Sequence, residues 1–226
     1  MALLLPDNPL ALLPGPLVLL LLYNVLCDER EMRTAAWLLL CGAAMMLAYP
    51  LVGGLSAGYG TAGYVLGKTL VFVLLPAGAL YIIEGCSVRE LAETTGVRRA
   101  GLPESLVFGC VAALVTLVLV YVTSTPRPAP DALWHMLMFL EAFTEEFYFR
   151  GVLMVWLAGR TSWRRAFLVS TTSFILAHPQ HFGQPFLLVT AVQGVLLALI
   201  AHRTGNLSGP WVSHGLNRIV PALMAG

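Results

Sequence analysis

The sequence predicts an all-α polytopic membrane protein of about eight transmembrane helices, and three observations predict it. Of its 226 residues 58% are apolar and only 11% charged, where soluble domains carry roughly 25% charged residues. The apolar residues gather in long runs, close to the ~20 residues a helix needs to cross hydrocarbon. Short links rich in Gly, Pro and Arg separate those runs.

The first run, 9–26, follows MALLLPDNP, which lacks the positive n-region of a signal peptide, and Leu26 before Cys27 spoils a lipoprotein cleavage box. It is therefore read as a retained span. DEREMR at 28–33 leads to a second run at 34–52, and GGLSAGYGTAG at 53–63 connects that to a third at 64–83. The longer link 84–104 mixes charged and apolar residues and predicts a short interfacial helix. Runs follow at 105–123, 133–158, 166–181, 185–201 and 208–225, joined by TPRPAP, RTSWRR, the Pro179–Pro185 stretch and HRTGN. Residues 1–226 read as one transmembrane domain without an internal repeat.

Arginine placement sets the orientation. Arg30, Arg33, Arg89, Arg98, Arg99, Arg160, Arg164, Arg165 and Arg203 fall in the loops after odd-numbered spans, with Arg127 alone on the other side. Both termini are predicted outside the cytoplasm, as in a prokaryotic inner-membrane protein. The formal charge of +1, with Lys68 the single lysine, offers no field or Lys-rich patch for nucleic acid. Cys27, Cys41, Cys86 and Cys110 form no CxxC or Cys/His knuckle, so neither a zinc module nor a disulfide framework is indicated.

Ionisable groups within hydrocarbon cost at least ~2.5 kcal/mol each, so their positions are informative. The fifth span carries Glu141, Glu145, Glu146 and Arg150, the sixth His178, and the eighth His214, Asn217 and Arg218. This predicts one enclosed polar site among those three helices. Glu146 and Arg150 are i,i+4 neighbours in the favourable order for an ion pair. Glu145 is turned about 100° away and shares a face with Glu141, which makes it a candidate general base. The alternative, that Glu145 and Glu146 both merely neutralise Arg150, stays open. His178 ends a run broken by Pro179, and a Glu–His pair that activates water is a plausible pairing. His181 reads as interfacial, as do His135 and His202. His214 and Asn217, i,i+3 on one face, can donate to a developing oxyanion or hydrogen-bond between helices. Lys68 lies in a GKT that lacks the earlier phosphate-loop glycine, and it reads as a snorkelling or packed residue.

Other intramembrane protease chemistries lack their residues. There is no HExxH, and Asp occurs only at 7, 28 and 131, outside the spans. Ser170, Ser173 and Ser213 stand in no nucleophile motif, and a serine–histidine dyad stays open as the weaker alternative.

The residues resemble the CPBP intramembrane glutamic proteases, also called the Abi or CAAX-protease family. Glu145, Glu146 and Arg150 match its EExxxR motif, Phe174 and His178 its FxxxH motif, and GVLLALIAHRTGNLSGPWVSHGLN its third region. The resemblance covers roughly 130–220. It implies that Glu145 with His178 activates a water, that His214 and an Asn stabilise the oxyanion, and that Glu146 and Arg150 brace the site. It implies neither cofactor nor metal. The third motif is usually HxxxN or HxxxD, but Arg218 stands four residues after His214 and Asn217 only three. Either Asn217 or Arg218 fills the donor role, or Arg218 pairs with Glu141. The implied substrate is a membrane-embedded or membrane-anchored protein or peptide, with trimming of a C-terminal sorting tail as one form of the reaction.

Two rival readings use the same polar cluster. One is a non-catalytic transporter or bacteriocin-immunity-type protein, against which stands the confinement of polar groups to the second half. The other is a metal-dependent hydrolase with Glu145, His178 and His214 as ligands. At 1.5 Å per residue, Glu145 lies about 18–20 Å from either end of its span and His178 close to the end of its own. They meet only if helices tilt or break.

Overall fold

The structure, a computed structural model, describes Leu10 and residues 29–225. The predicted span 9–26 lies outside the described residues apart from Leu10. Among the described residues the secondary structure is helical, with no strand.

The first helices are α1 (Glu29–Ala48) and α2 (Pro50–Thr69), the latter running through a π segment (Leu70–Leu74) into α3 (Leu75–Glu84). The sequence predicts a loop at 53–63, but the helix continues through it and is interrupted only at Gly60, whose φ of 59° and ψ of −141° reverse the chain. A positive φ of this kind is open to glycine and strained for other residues. The two arms then pack through glycine. A Cβ on Gly67 would stand 2.7 Å from the Val52 Cα, and one on Gly63 would stand 2.0 Å from the Leu55 carbonyl oxygen. Small residues four apart are what membrane helices use to bring backbones together.

The expected interfacial helix is α4 (Val88–Thr94), opened by a capping box in which Ser87 and Glu90 satisfy each other's backbone N–H groups. Next come α5 (Leu102–Thr123) and α6 (Ala132–Glu146), which Asp131 caps by accepting from the Trp134 N–H. After Glu146 the helix widens into a π segment, Phe147–Trp156, that is buried almost throughout. Helix α7 (Trp163–Leu176) stops one turn short of the predicted span end. A 3₁₀ turn, Pro179–His181, precedes α8 (Leu187–Thr204) and α9 (Ser208–Met224).

Helix α9 packs against α5 and α6, α8 lies against α5 and α7, and α2 reaches α6. The α5–α9 crossing is close because Ser105, Gly109 and Gly209 meet there. Ser105 donates to the Asn206 carbonyl and accepts from the Gly209 N–H at 2.8 Å. The outward face of α5 is apolar: Val107, Val111, Leu114, Val118 and Val122 are all more than half exposed. Such a face suits lipid and would be a liability in water.

Among the described residues three helical stretches are long and apolar enough to cross a membrane: Met32–Glu84, in which the chain reverses, Leu102–Thr123 and Leu187–Thr204. The protein is thus an integral membrane protein. The predicted count of eight spans is not reached by length and apolarity among the described residues. Helices α7 and α9, of 14 and 17 residues, are short, and the stretch that holds α6 carries four charged residues; those are the helices that build the polar site.

Candidate functional site

Glu145 of α6 lines one cavity of about 710 Å³ together with Lys68, His178, His214 and Arg218, and the other charges of its helix lie buried behind it. Glu141, Glu145, Glu146 and Arg150 are all buried, at 3% exposure or less. Burial of so many charges is tolerable only if each is paired, and the pairing is specific.

Glu146 accepts two hydrogen bonds on Oε1, from Arg150 Nη1 at 3.2 Å and from His214 Nδ1 at 2.7 Å. The π segment starts at the next residue, and Arg150 also reaches the Gly194 carbonyl and lies 4.0 Å over the Phe174 ring. That ring stands 4.6 Å from the imidazole of His178. The Glu146–Arg150 pair therefore joins α6 to α7, α8 and α9.

Glu145 divides its oxygens. Oε1 receives Lys68 Nζ at 2.5 Å and Arg218 Nη2 at 3.0 Å. Oε2 has no hydrogen-bond partner of that kind; it faces His178 Nε2 at 3.5 Å and His214 Nε2 at 3.9 Å. Glu141 completes the cluster with ion pairs to Lys68 at 3.2 Å and to Arg218 Nη1 at 3.0 Å. Three carboxylates and three cations balance.

Partner chemistry assigns the tautomers. His178 Nδ1 lies 2.7 Å from the Phe174 carbonyl, which only accepts, so Nδ1 carries a hydrogen and Nε2 is the nitrogen turned toward Glu145. His214 Nδ1 donates to Glu146, and its Nε2 accepts from Arg218 Nε at 3.3 Å. Glu145 Oε2 and the Nε2 atoms of His178 and His214 therefore stand close together at the cavity wall, with the His214 lone pair taken by Arg218. With the His178 ring neutral, its Nε2 and Glu145 Oε2 form a pair of acceptors suited to a donor with two hydrogens, such as water.

His178 is placed by the end of α7. The helix terminates at Leu176, and His178 has φ −121° and ψ 54° as the residue that opens the Pro179 turn. It sits off the helix and not in a span, which removes the depth mismatch. His181 stacks on His178 at 5.4 Å and pairs with Thr190 Oγ1, so it lines the cavity and is more than interfacial.

The structure selects among the open roles of Asn217 and Arg218 and corrects the placement of Lys68. Asn217 lines the cavity but donates to Thr116 Oγ1 of α5 at 2.5 Å, the interhelical option, whereas Arg218 takes the pairing with Glu141 and also reaches Glu145. Lys68 neither snorkels nor merely packs: it is 4% exposed and bonded to both Glu145 and Glu141. The polar site thus draws on the third predicted span as well as the fifth, sixth and eighth. The membrane cost that marks Glu145 as meaningful applies equally to Lys68, and that was the available signal. Tyr49 and Tyr64, also on the cavity wall, carry no such signal.

Among the described residues no group of three or more His, Cys, Asp and Glu is arranged to hold a metal ion. A dication at Glu145 would also meet Lys68 and Arg218.

Residues 127–220 match a family model described as type II CAAX prenyl endopeptidase Rce1-like. That segment carries all the site residues named above except Lys68, Tyr49, Tyr64 and Thr116, and over it the chain is similar to the CAAX-type membrane proteases of the CPBP family. No curated protein and no solved structure matches the chain.

Proposed function

We propose that the chain is a metal-independent intramembrane glutamic endopeptidase that hydrolyses a peptide bond in a membrane-anchored substrate. The observation that carries this reading is the split of Glu145: one oxygen clamped by two cations, the other without a hydrogen bond and facing the Nε2 atoms of two imidazoles at 3.5 and 3.9 Å. That is the geometry of a base waiting for a water proton.

In this reading a water bound between Glu145 Oε2 and His178 Nε2 gives one proton to Oε2 as its oxygen attacks the scissile carbonyl carbon. The carbonyl oxygen takes the negative charge that Glu145 loses. Arg218 is the donor best placed to follow that charge. It donates hydrogen bonds to His214 and Glu145 and ion-pairs with Glu141, which leaves N–H groups of the five a guanidinium has, and it is the most exposed of the clustered cations. Collapse of the tetrahedral intermediate breaks the C–N bond, and the proton on Glu145 passes to the leaving amine. His214 orients Arg218 rather than donating itself, because its Nδ1 proton is committed to Glu146. Asn217 belongs to the α5–α9 contact. Glu146 and Arg150 brace the wall.

A cavity of about 710 Å³ admits a few residues of extended chain, and the CAAX-type match supports a substrate near a membrane-anchored C-terminus. We favour trimming of a C-terminal sorting tail, in a prokaryotic inner membrane, with the termini outside the cytoplasm and a single domain of eight spans over 1–226. The test compares protein C-termini by mass spectrometry in membranes of the source cells carrying wild-type protein or an equally expressed Glu145→Gln variant. Uncut tails that accumulate in the variant support the reading and reveal the cleavage site. Identical C-termini would refute it and favour a binding or transport role for the cluster.

A further inference from the structure

We infer that Lys68, supplied by α2 outside the family-matched segment, is a positioning residue that fixes which oxygen of Glu145 meets the water. The inference rests on the reading of Glu145 as the base.

The terminal torsion of a glutamate is broad and close to two-fold, so its own rotamer preference does not choose between Oε1 and Oε2. Something must hold one oxygen. Lys68 Nζ does so at 2.5 Å, with its second carboxylate contact to Glu141 at 3.2 Å and the Phe72 ring 4.3 Å from the ammonium. Three contacts in different directions define one position for the ammonium. A lysine with no role in the site would extend along the helix toward water. This one turns inward from α2 to α6.

Arg218 also touches Oε1, but its situation differs. Its side chain is 24% exposed to the cavity, against 5% for Lys68, and it is shared with His214. Arg218 is free to move toward a developing oxyanion, while Lys68 keeps Oε1 through the step. The two cations therefore divide the work between charge stabilisation and orientation.

The approach of α2 that delivers Lys68 depends on the preceding residue. Gly67 lies so close to Val52 that a Cβ would come within 2.7 Å of its Cα. The clamp is thus part of the Gly60 hairpin, and the site is completed by the half of the chain that the family match does not cover.

The test uses full-length protein in proteoliposomes and a synthetic peptide carrying the cleavage site read from the C-terminus comparison. Lys68→Met is expected to lower kcat about 10- to 100-fold, the range for misplacing a reacting group by about an ångström, with KM within about twofold. Lys68→Arg, which can still reach both carboxylates, is expected to recover most of that loss. Lys68→Met/Glu141→Gln restores the charge balance, so it should recover stability while kcat stays low. The double variant also serves if Lys68→Met alone does not fold. Wild-type kcat in Lys68→Met, or its full recovery in the double variant, would overturn the inference and make Lys68 a counter-ion only. Glu145→Gln run in parallel separates the two levels: if it cleaves normally, the glutamic mechanism itself fails, whatever Lys68 does.

Discussion

Glu141→Gln tests whether the buried cluster is held together by charge balance. Glu141 is fully buried and bridges Lys68 of α2 and Arg218 of α9 at 3.2 and 3.0 Å. Removing its charge leaves those two cations sharing Glu145 alone, an excess of one positive charge in a closed site. Breaking a buried pair from one side costs about 3–5 kcal/mol, and the retained amide should bring Glu141→Gln to the lower end, about 3 kcal/mol. Adding Lys68→Met removes the excess charge, so the double variant should be at least about 2 kcal/mol more stable than the sum of the singles. An interhelical hydrogen bond within a membrane averages only about 0.6 kcal/mol in such cycles, which lets the size of the coupling tell charge from hydrogen bonding. The assay is reversible unfolding of detergent-purified protein by SDS titration, followed by circular dichroism. Single and double effects that add to within ~0.5 kcal/mol, the scatter of independent sites, would refute the charge-balance argument.

Other outcomes follow from the same geometry. Arg218→Met should lower kcat about 10²–10³-fold, the loss typical of one oxyanion donor, whereas Asn217→Ala should stay within a few-fold; a reversed order would return the donor role to Asn217. Gly67→Leu must push α2 from Val52, with an overpacking cost of about 1–3 kcal/mol and a matching loss of cleavage, measured in parallel unfolding and activity assays. EDTA followed by Zn²⁺ should leave cleavage unchanged, and loss with rescue would support the metal-dependent alternative. Outside the membrane, hydrogen bonds from Ser87 hold the Glu90 carboxyl below the usual range, so the capping box of α4 is formed at neutral pH and released as pH falls through that lowered value. An NMR titration should show Glu90 returning upward in Ser87→Ala.

Much of this was legible because the membrane makes polarity expensive. The charges of α6, His178, His214 and Arg218 stand out in apolar runs, and i,i+4 spacing alone places Glu146 against Arg150, where the structure has them 3.2 Å apart. The helix limits were legible at Pro and Gly, except where Gly60 condensed the expected 53–63 loop into a hairpin. What spacing does not contain is contact between distant helices. Nothing local says that Lys68 faces α6, since its neighbours Leu66 and Leu70 are as apolar as a lipid-facing turn; the hairpin turn and the Gly67–Val52 contact decide it. Asn217 and Arg218 are adjacent in sequence, and only the seating of α9 on α5 sends one to Thr116 and the other to Glu145. The end of α7 at Leu176, which carries His178 to the site, follows from Pro179 only once the packing of α6 against α7 is known.

The account centres on a water activated by Glu145. The measurement that addresses it most directly is a single turnover of enzyme over the peptide substrate in H₂¹⁸O, followed by mass spectrometry of the product and of the enzyme fragment containing residues 139–153. The account predicts one ¹⁸O in the new C-terminal carboxylate, none in Glu145, and no product from Glu145→Gln. Label in the Glu145 carboxylate would mean that it attacks the carbonyl itself, and product from Glu145→Gln at the wild-type rate would mean that it is not the base.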